Sequence, residues 1–358
     1  DFYDLKSLFI MKKATLLLLV AALASLTELR AQSWIAGADF ETKFDNREYS
    51  GNRFGESKTV FGVRLSPEVG VAWDDRNRLI AGVDLTHDFG DTAHFLSDVQ
   101  PVVYYQFQSP NFQVNAGIFP RSKMLGRYSE AFFDEEVKFY HHRLQGLLAN
   151  YRAEHGYVEF AIDWEGFRTE KQREKFRILS EGRWHDDRFY AGYSLMVLHY
   201  AKTLDETEDQ GVVDNMLINP HAGVRFNAFF DFDIRLGYLQ SMQRDRRTGG
   251  GWLTPKGGEL HVSMSRWGLK LENRLFVGQN MLPLWKIYGH DLYECNTFFG
   301  VTDHIYNRTA LSYGNSFFRR TLKVEAALVL QYDGVGCGLQ QILKIGVNLE
   351  KVFTRTKK

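Results

Sequence analysis

The chain has 358 residues, with 44 basic and 44 acidic side chains, so its formal charge is zero. That balance excludes a nucleic-acid binder, which needs a basic face to neutralise phosphates. Two cysteines exclude a disulfide-dense scaffold or a Cys-based metal cluster, and 15% aromatic residues with 31 Gly and only 7 Pro favour strands and tight turns.

The N-terminal part reads as a targeting segment. Met11-Lys12-Lys13 precedes the apolar run Ala14 to Ala24, and Leu29-Arg30-Ala31 follows. A positive start, a short apolar stretch and a small residue make a secretory signal peptide, and the run is too short for a spanning helix. A buried N-terminal helix is the alternative. Residues 1–10 are expected to be upstream sequence, with Met11 the start and cleavage after Ala31, leaving 32–358 as a single domain of net charge −1. No later segment reaches 18 uninterrupted apolar residues.

From there the dominant signal is alternation with period two, which puts alternate residues on opposite faces of a strand. Trp34, Ala36, Ala38 and Phe40 alternate with Ile35, Gly37, Asp39 and Glu41. Phe61, Val63, Leu65, Pro67, Val69, Val71 and Trp73 alternate with Gly62, Arg64, Ser66, Glu68, Gly70 and Ala72. The same pattern recurs over 99–107, 112–119, 158–165, 230–238 and 322–332. Connections alternate too. Seven short ones, at 74–78, 109–111, 154–156, 185–187, 227–228, 265–267 and 314–316, interleave with eight long ones, at about 45–58, 90–97, 120–143, 167–175, 201–214, 243–257, 279–304 and 333–338. They join sixteen strands. An even strand count with short turns at one end and long loops at the other is the pattern of an outer-membrane barrel. Trp73, Phe107, Phe112, Tyr151, Trp184, Phe189, Phe226 and Phe230 sit beside the short turns, where an interfacial aromatic girdle belongs. A secreted β-sandwich or propeller is the rival, but it lacks both the loop asymmetry and the girdle.

The reading is an all-β, transmembrane, antiparallel up-and-down barrel of about sixteen strands in a bacterial outer membrane, with membrane lipid as its surroundings. Its inner face carries Asp39, Glu41, Lys43, Glu68, Arg152, Asp163, Arg177, Arg183, Arg235 and Lys323 among other charges. So many charges cannot lie in a dry core, and a water-filled interior removes the difficulty. Pairing of opposite charges between neighbouring strands is the plainer role for each of them.

The segment 120–143 holds a basic cluster at Arg121, Lys123 and Arg127, then Glu130, the apolar Phe132 and Phe133, and the acidic Asp134-Glu135-Glu136. A long loop with its own apolar residues packs against something. Here the chain resembles the outer-membrane porins, the phosphate-selective type included, in its strand and loop lengths rather than in any fingerprint. That resemblance implies a third outer loop folded into the barrel. Arg121, Lys123, Arg127, Glu130, Asp134, Glu135 and Glu136 then form a pore constriction with Arg64 of the wall. It also implies a homotrimer. A loop that only caps the outer mouth is the alternative.

The loop 279–304 is also long and apolar-rich, and its Cys295 and the last outer loop's Cys337 are candidates for a disulfide, with two free thiols the alternative. His141-His142 beside Asp134-Glu135-Glu136 lacks the spacing of a metal site, and no metal or other cofactor is expected. Neither a Gly-x-Ser-x-Gly elbow nor a Ser/His/Asn array stands out from spacing. The expectation is therefore a porin, not an enzyme, passing small hydrophilic solutes or ions by passive diffusion. A plugged barrel enzyme of the lipid-hydrolase type and a non-conducting binding or structural barrel are the alternatives.

Overall fold

A computed structural model describes residues 33–354 apart from 52–54, 206 and 208. The expected signal peptide over 1–31 and the first residue of the mature domain lie outside the described residues. Sixteen antiparallel strands close into one barrel, each pairing with its neighbours in chain order and β1 with β16. They are β1 (Ser33–Glu48), β2 (Lys58–Ala72), β3 (Asn77–Asp88), β4 (Asp98–Gln108), β5 (Phe112–Pro120), β6 (Arg143–Ala153), β7 (Gly156–Gly166) and β8 (Lys175–His185). The wall continues with β9 (Phe189–Tyr200), β10 (Val213–Asn227), β11 (Asp231–Asp245), β12 (Lys256–Arg266), β13 (Leu269–Gly278), β14 (Ile305–Phe317), β15 (Leu322–Tyr332) and β16 (Cys337–Thr354).

The alternation in the sequence becomes the two faces of the wall. On β2, Phe61, Leu65 and Val69 point outward and are 45%, 42% and 61% exposed, whereas Arg64 and Ser66 between them are buried inside. An outward apolar belt is stable only against lipid. At the short-turn end aromatic rings collect on that belt: Phe226 stacks on Phe232 at 5.0 Å, Trp73 on Tyr105 at 6.1 Å, and Phe229 meets Trp267 edge-on at 5.7 Å. One turn lies later than expected. β14 runs through Asn315 and Ser316, and the chain reverses at 318–321, where Phe318, Arg319 and Arg320 take positive φ.

The apolar core of the molecule sits inside the barrel. Phe132 and Phe133 from the β5–β6 connection pack with Phe298 and Phe299 from the β13–β14 connection and with Tyr49, Phe276 and Tyr306. Both connections carry short helices, α1 (Glu135–Tyr140) in the first and α2 (Trp285–Leu292) in the second. The Asp134 side chain caps α1 by accepting the Val137 N–H at 2.7 Å, and Glu135 and Glu136 occupy its first turn. Cys295 is buried in this core while Cys337 is exposed, and both are free thiols. The candidate disulfide is thus not formed.

Leu65→Arg, mid-strand on the lipid face, is expected to cost about 2–4 kcal/mol of folding stability in vesicles. Denaturant titration of the refolded barrel measures it, and an unchanged midpoint would contradict the outward placement of Leu65.

Candidate active site

The β5–β6 connection crosses the interior and is tied to opposite walls. On one side Lys43 Nζ donates to the Glu135 carbonyl at 2.7 Å, Lys344 Nζ to Glu135 Oε2 at 2.6 Å, and Arg47 to Glu136 Oε2 at 2.9 Å. On the other, the backbone N–H groups of Leu125 and Gly126 donate to the two oxygens of Glu159 at 2.6 and 3.0 Å. A Cβ at Gly126 would come within 2.5 Å of the Glu159 carboxylate and 2.7 Å of that of Glu181, so a side chain there would have to displace the acid that holds the loop to this wall. Arg121 pairs with Asp163.

A third anchor joins the two inner connections. Asp134 N–H donates to the Glu294 carbonyl and Asn296 N–H to the Glu130 carbonyl, both at 2.8 Å. Asn296 Nδ2 also donates to Glu130 Oε2 at 2.8 Å, and Arg308 Nε lies 3.1 Å from Glu130 Oε1. Arg177 and Lys175 of β8 hold Glu294. Burial raises the Glu130 pKa, but Arg308 and Arg274 more than offset it and keep the carboxyl below its ordinary 4.5. Glu294 and Glu135 are held well below theirs in the same way, against burial, Glu294 first by Arg177 and Glu135 by Lys138 and Lys344. Apolar packing and paired charge together make a plug.

Beneath the plug, toward the short-turn end, a cavity of about 660 Å³ remains. Asp39, Glu41, Arg64, Glu68, Arg121, Lys123, Arg127 and Lys323 all line it, as do the apolar Ile35, Ile80, Met124 and Phe133. Of the other expected lumen residues, Lys43, Asp163 and Arg177 are buried in the anchors, while Arg152, Arg183 and Arg235 line a second cavity. The acids grouped for a constriction are dispersed: Glu130 faces β14, whereas Glu135 and Glu136 face β1 and its neighbours.

At the edge of the first cavity, Asp84 of β3 is a hub. Ser66 Oγ of β2 donates to Asp84 Oδ1 at 2.5 Å, and Arg143 Nε of β6 to Oδ2 at 3.1 Å. His142 Nε2, from the loop, lies 2.5 Å from the same Oδ2, and Arg64 Nε lies 3.9 Å from Oδ1. Arg64 also reaches Asp39 at 3.1 Å, Glu41 at 3.2 Å and the Phe139 carbonyl at 3.2 Å. Arg143 reaches Glu68 at 3.0 Å. Burial and then the charges of Arg64, Arg143 and Arg121 push the His142 pKa far down, so its imidazole is neutral at pH 7. Both His142 ring nitrogens are buried without a hydrogen bond, so the approach of Nε2 to Asp84 is a close contact rather than an aligned bond. His141 diverges to Glu294, 3.5 Å away. A hydroxyl on a carboxylate, a neutral imidazole and two guanidiniums are groups that acyl transfer uses: nucleophile, proton acceptor and oxyanion stabiliser.

The model of the lipid A 3'-O-deacylase-type family matches residues 33–336. The chain belongs to that family. This overturns the expectation that the chain is not an enzyme. The candidate cluster was hidden in the sequence because Ser66, Asp84 and His142 come from three separate segments, and only barrel closure and the inward loop bring them together. Alternation already placed Ser66 on the inner face two residues from Arg64; nothing in the spacing marked its partner.

No curated protein matches by sequence. Among solved structures, a loop-deletion mutant of OmpT, an outer-membrane protein of Vibrio cholerae, has a TM-score of 0.55 at 10% identity over 89% of this chain and 100% of its own. OpdO of Pseudomonas aeruginosa has a TM-score of 0.53 at 8% identity over 89% and 98%. At such identities the likeness concerns the fold: a porin-like barrel of the bacterial outer membrane. The short-turn end therefore faces the periplasm.

The pH dependence of the plug follows from its depressed acids. A carboxyl with a lowered folded-state pKa contributes stability above its ordinary value and loses it as pH falls through the folded one. The plug is expected to hold from pH 7 to below about 4.5 and to loosen in stronger acid. Glu130→Gln removes the nearer charge partner of Arg308 and leaves it only Glu272 at 3.9 Å, a loss of up to about 3–5 kcal/mol for a buried pair. Planar-bilayer recordings should therefore be silent for the wild-type protein at pH 7 and show open steps for Glu130→Gln. Equal conductance of the two proteins would refute the latch.

Proposed function

We propose that this protein is an outer-membrane esterase that removes an ester-linked acyl chain from an acylated lipid, lipid A first, as its family name describes. The observation that carries the reading is that Ser66 and His142, both lining a partly apolar cavity below a plug, meet on the carboxylate of Asp84 behind them. A volume of about 660 Å³ suits one acyl-ester limb rather than a whole lipid.

In this reading Ser66 Oγ attacks the acyl carbonyl and its proton passes to the Asp84–His142 pair. Arg143 and Arg64 face the oxyanion that develops. The sugar alkoxide leaves with the proton, and water then cleaves the acyl-serine, releasing a fatty acid and restoring the hydroxyl. Asp84 orients both partners while its own charge is balanced by Arg143.

The test uses the refolded protein in mixed micelles with lipid A or a diacyl phospholipid, read by mass spectrometry for loss of one acyl group. Ser66→Ala and His142→Ala are each expected to lower turnover by about 10³-fold or more. Because His142 stays neutral, the acid limb of the rate profile should fall below the ordinary imidazole range of about 6.5. Full turnover in both variants would place the chemistry elsewhere. No turnover of either lipid by the wild-type protein would sink the esterase reading.

The porin-like barrel and the cavities on the periplasmic side favour a second reading, passage of small solutes when the plug parts. Solute flux in liposomes that rises with Glu130→Gln while lipid stays intact would support it over the first.

A further inference from the structure

A second cavity, of about 940 Å³, lies beside the first under the plug. Its sides come from β6 to β13, and Leu125, Arg127, Tyr128 and Ser129 form its ceiling. Ala153, Gly156, His185, Asp187, Asn227 and Ser265 place its mouth among the short turns, hence at the periplasm. We propose that this cavity binds a small soluble oxyanion, one bearing phosphate or carboxylate groups, that enters from the periplasm. The assignment is independent of the esterase reading.

The register of the wall concentrates positive charge here. Arg235 pairs across strands with His261, His261 with Arg274, and Arg274 with Arg308. The arginines of such a row repel and must be met by anions. Glu130 and Glu272 serve Arg308 and Arg274. Arg235, at the other end of the row, is 9% exposed and lines the cavity. Among the described residues it has no hydrogen bond and no ion pair. Glu259, the acid whose charge acts most on it, stays beyond ion-pair distance and does not line the cavity; its Oε2 accepts from Asn219 at 3.0 Å and its Oε1 is buried without a hydrogen bond.

Arg183 stands close by. Its Nε is buried without a partner, and its guanidinium lies 4.6 Å from the centre of the Tyr190 ring. A Cβ at Gly223 would come within 2.4 Å of that ring, so the glycine makes room for the aromatic floor. Arg127 and Arg152 also line the cavity with no carboxylate in ion-pair reach among the described residues. Most of the acids in the lining are engaged. Asp233 takes Arg225 at 3.0 Å and Tyr190 at 2.5 Å, Asp231 takes Asn227 at 2.6 Å, and Glu272 takes Lys270 and His261. Only Asp187, beside the β8–β9 turn, is left. Four arginines free to turn their forks inward, over an aromatic floor, match the planar oxygens of phosphate and carboxylate.

Isothermal titration of the refolded full mature protein in neutral detergent tests this, with pyrophosphate and citrate as soluble probes and dihexanoyl phosphatidic acid as the lipid headgroup probe. One saturable site for a soluble probe is expected, weakened by about 0.5 M NaCl through screening. Arg183→Gln with Arg235→Gln should weaken it at least tenfold, and Lys171→Gln, in the exposed β7–β8 connection, should leave it unchanged. If the buried pair does not refold, Arg152→Gln at the exposed mouth should still weaken binding about threefold. Binding of phosphatidic acid alone, no saturable binding, or affinity indifferent to these arginines would overturn the proposal.

Discussion

The structure depends on the carboxylate of Glu130. A sixteen-stranded wall encloses more space than its own side chains can fill. Two loops must fill it, and one acid joins them: Glu130 receives Arg308 of the wall and Asn296 of the other loop through its carboxylate, and Asn296 N–H through its carbonyl. The aromatic core of Phe132, Phe298, Phe299 and Tyr306 closes around that joint. Apolar burial supplies the drive, and the ionic contact sets the register of one loop against the other.

Such an interior reverses the usual relation of core and surface. The wall shows hydrocarbon to the membrane and charge to the inside, so every loop that enters must arrive with matching charge. The β5–β6 connection does this by segregation. Its basic half, Arg121 to Arg127, lies over the cavities, and its acidic half, Glu130 to Glu136, meets Arg308, Lys43, Lys344 and Arg47. The same segregation supplies the candidate site, because His142 closes the loop where it returns to the wall at Arg143 and both reach Asp84.

The barrel itself was legible in the sequence because its signal is local. Phe61, Leu65 and Val69 against Arg64 and Ser66 can be read within ten residues. The turn after β14 was misplaced because Gly314-Asn315-Ser316 has turn composition yet stays extended, while the reversal uses Phe318, Arg319 and Arg320, whose side chains give no hint of positive φ. The wall residues near the site, such as Arg64 and Glu68, were also visible by alternation. The site as a constellation was not. Ser66 and His142 lie far apart in sequence, and 166 positions separate Glu130 from Asn296. Contacts of that range carry no periodic trace. The possibility of a plugged enzyme was open in the sequence, but the charged inner face pointed more strongly to a water-filled pore.

The seam between β1 and β16 has a consequence for how the molecule is assembled. It joins Ser33 to Thr354, the farthest separated pair in the described chain, so this seam closes the longest loop of the fold and carries its largest entropic cost. The plug joins the β5–β6 connection to β14 and the loop before it, contacts of shorter sequence separation than the seam. Both inner loops can therefore settle while the sheet is still an open trough. The sealing strand then encloses them, and neither loop has to be threaded through a finished ring.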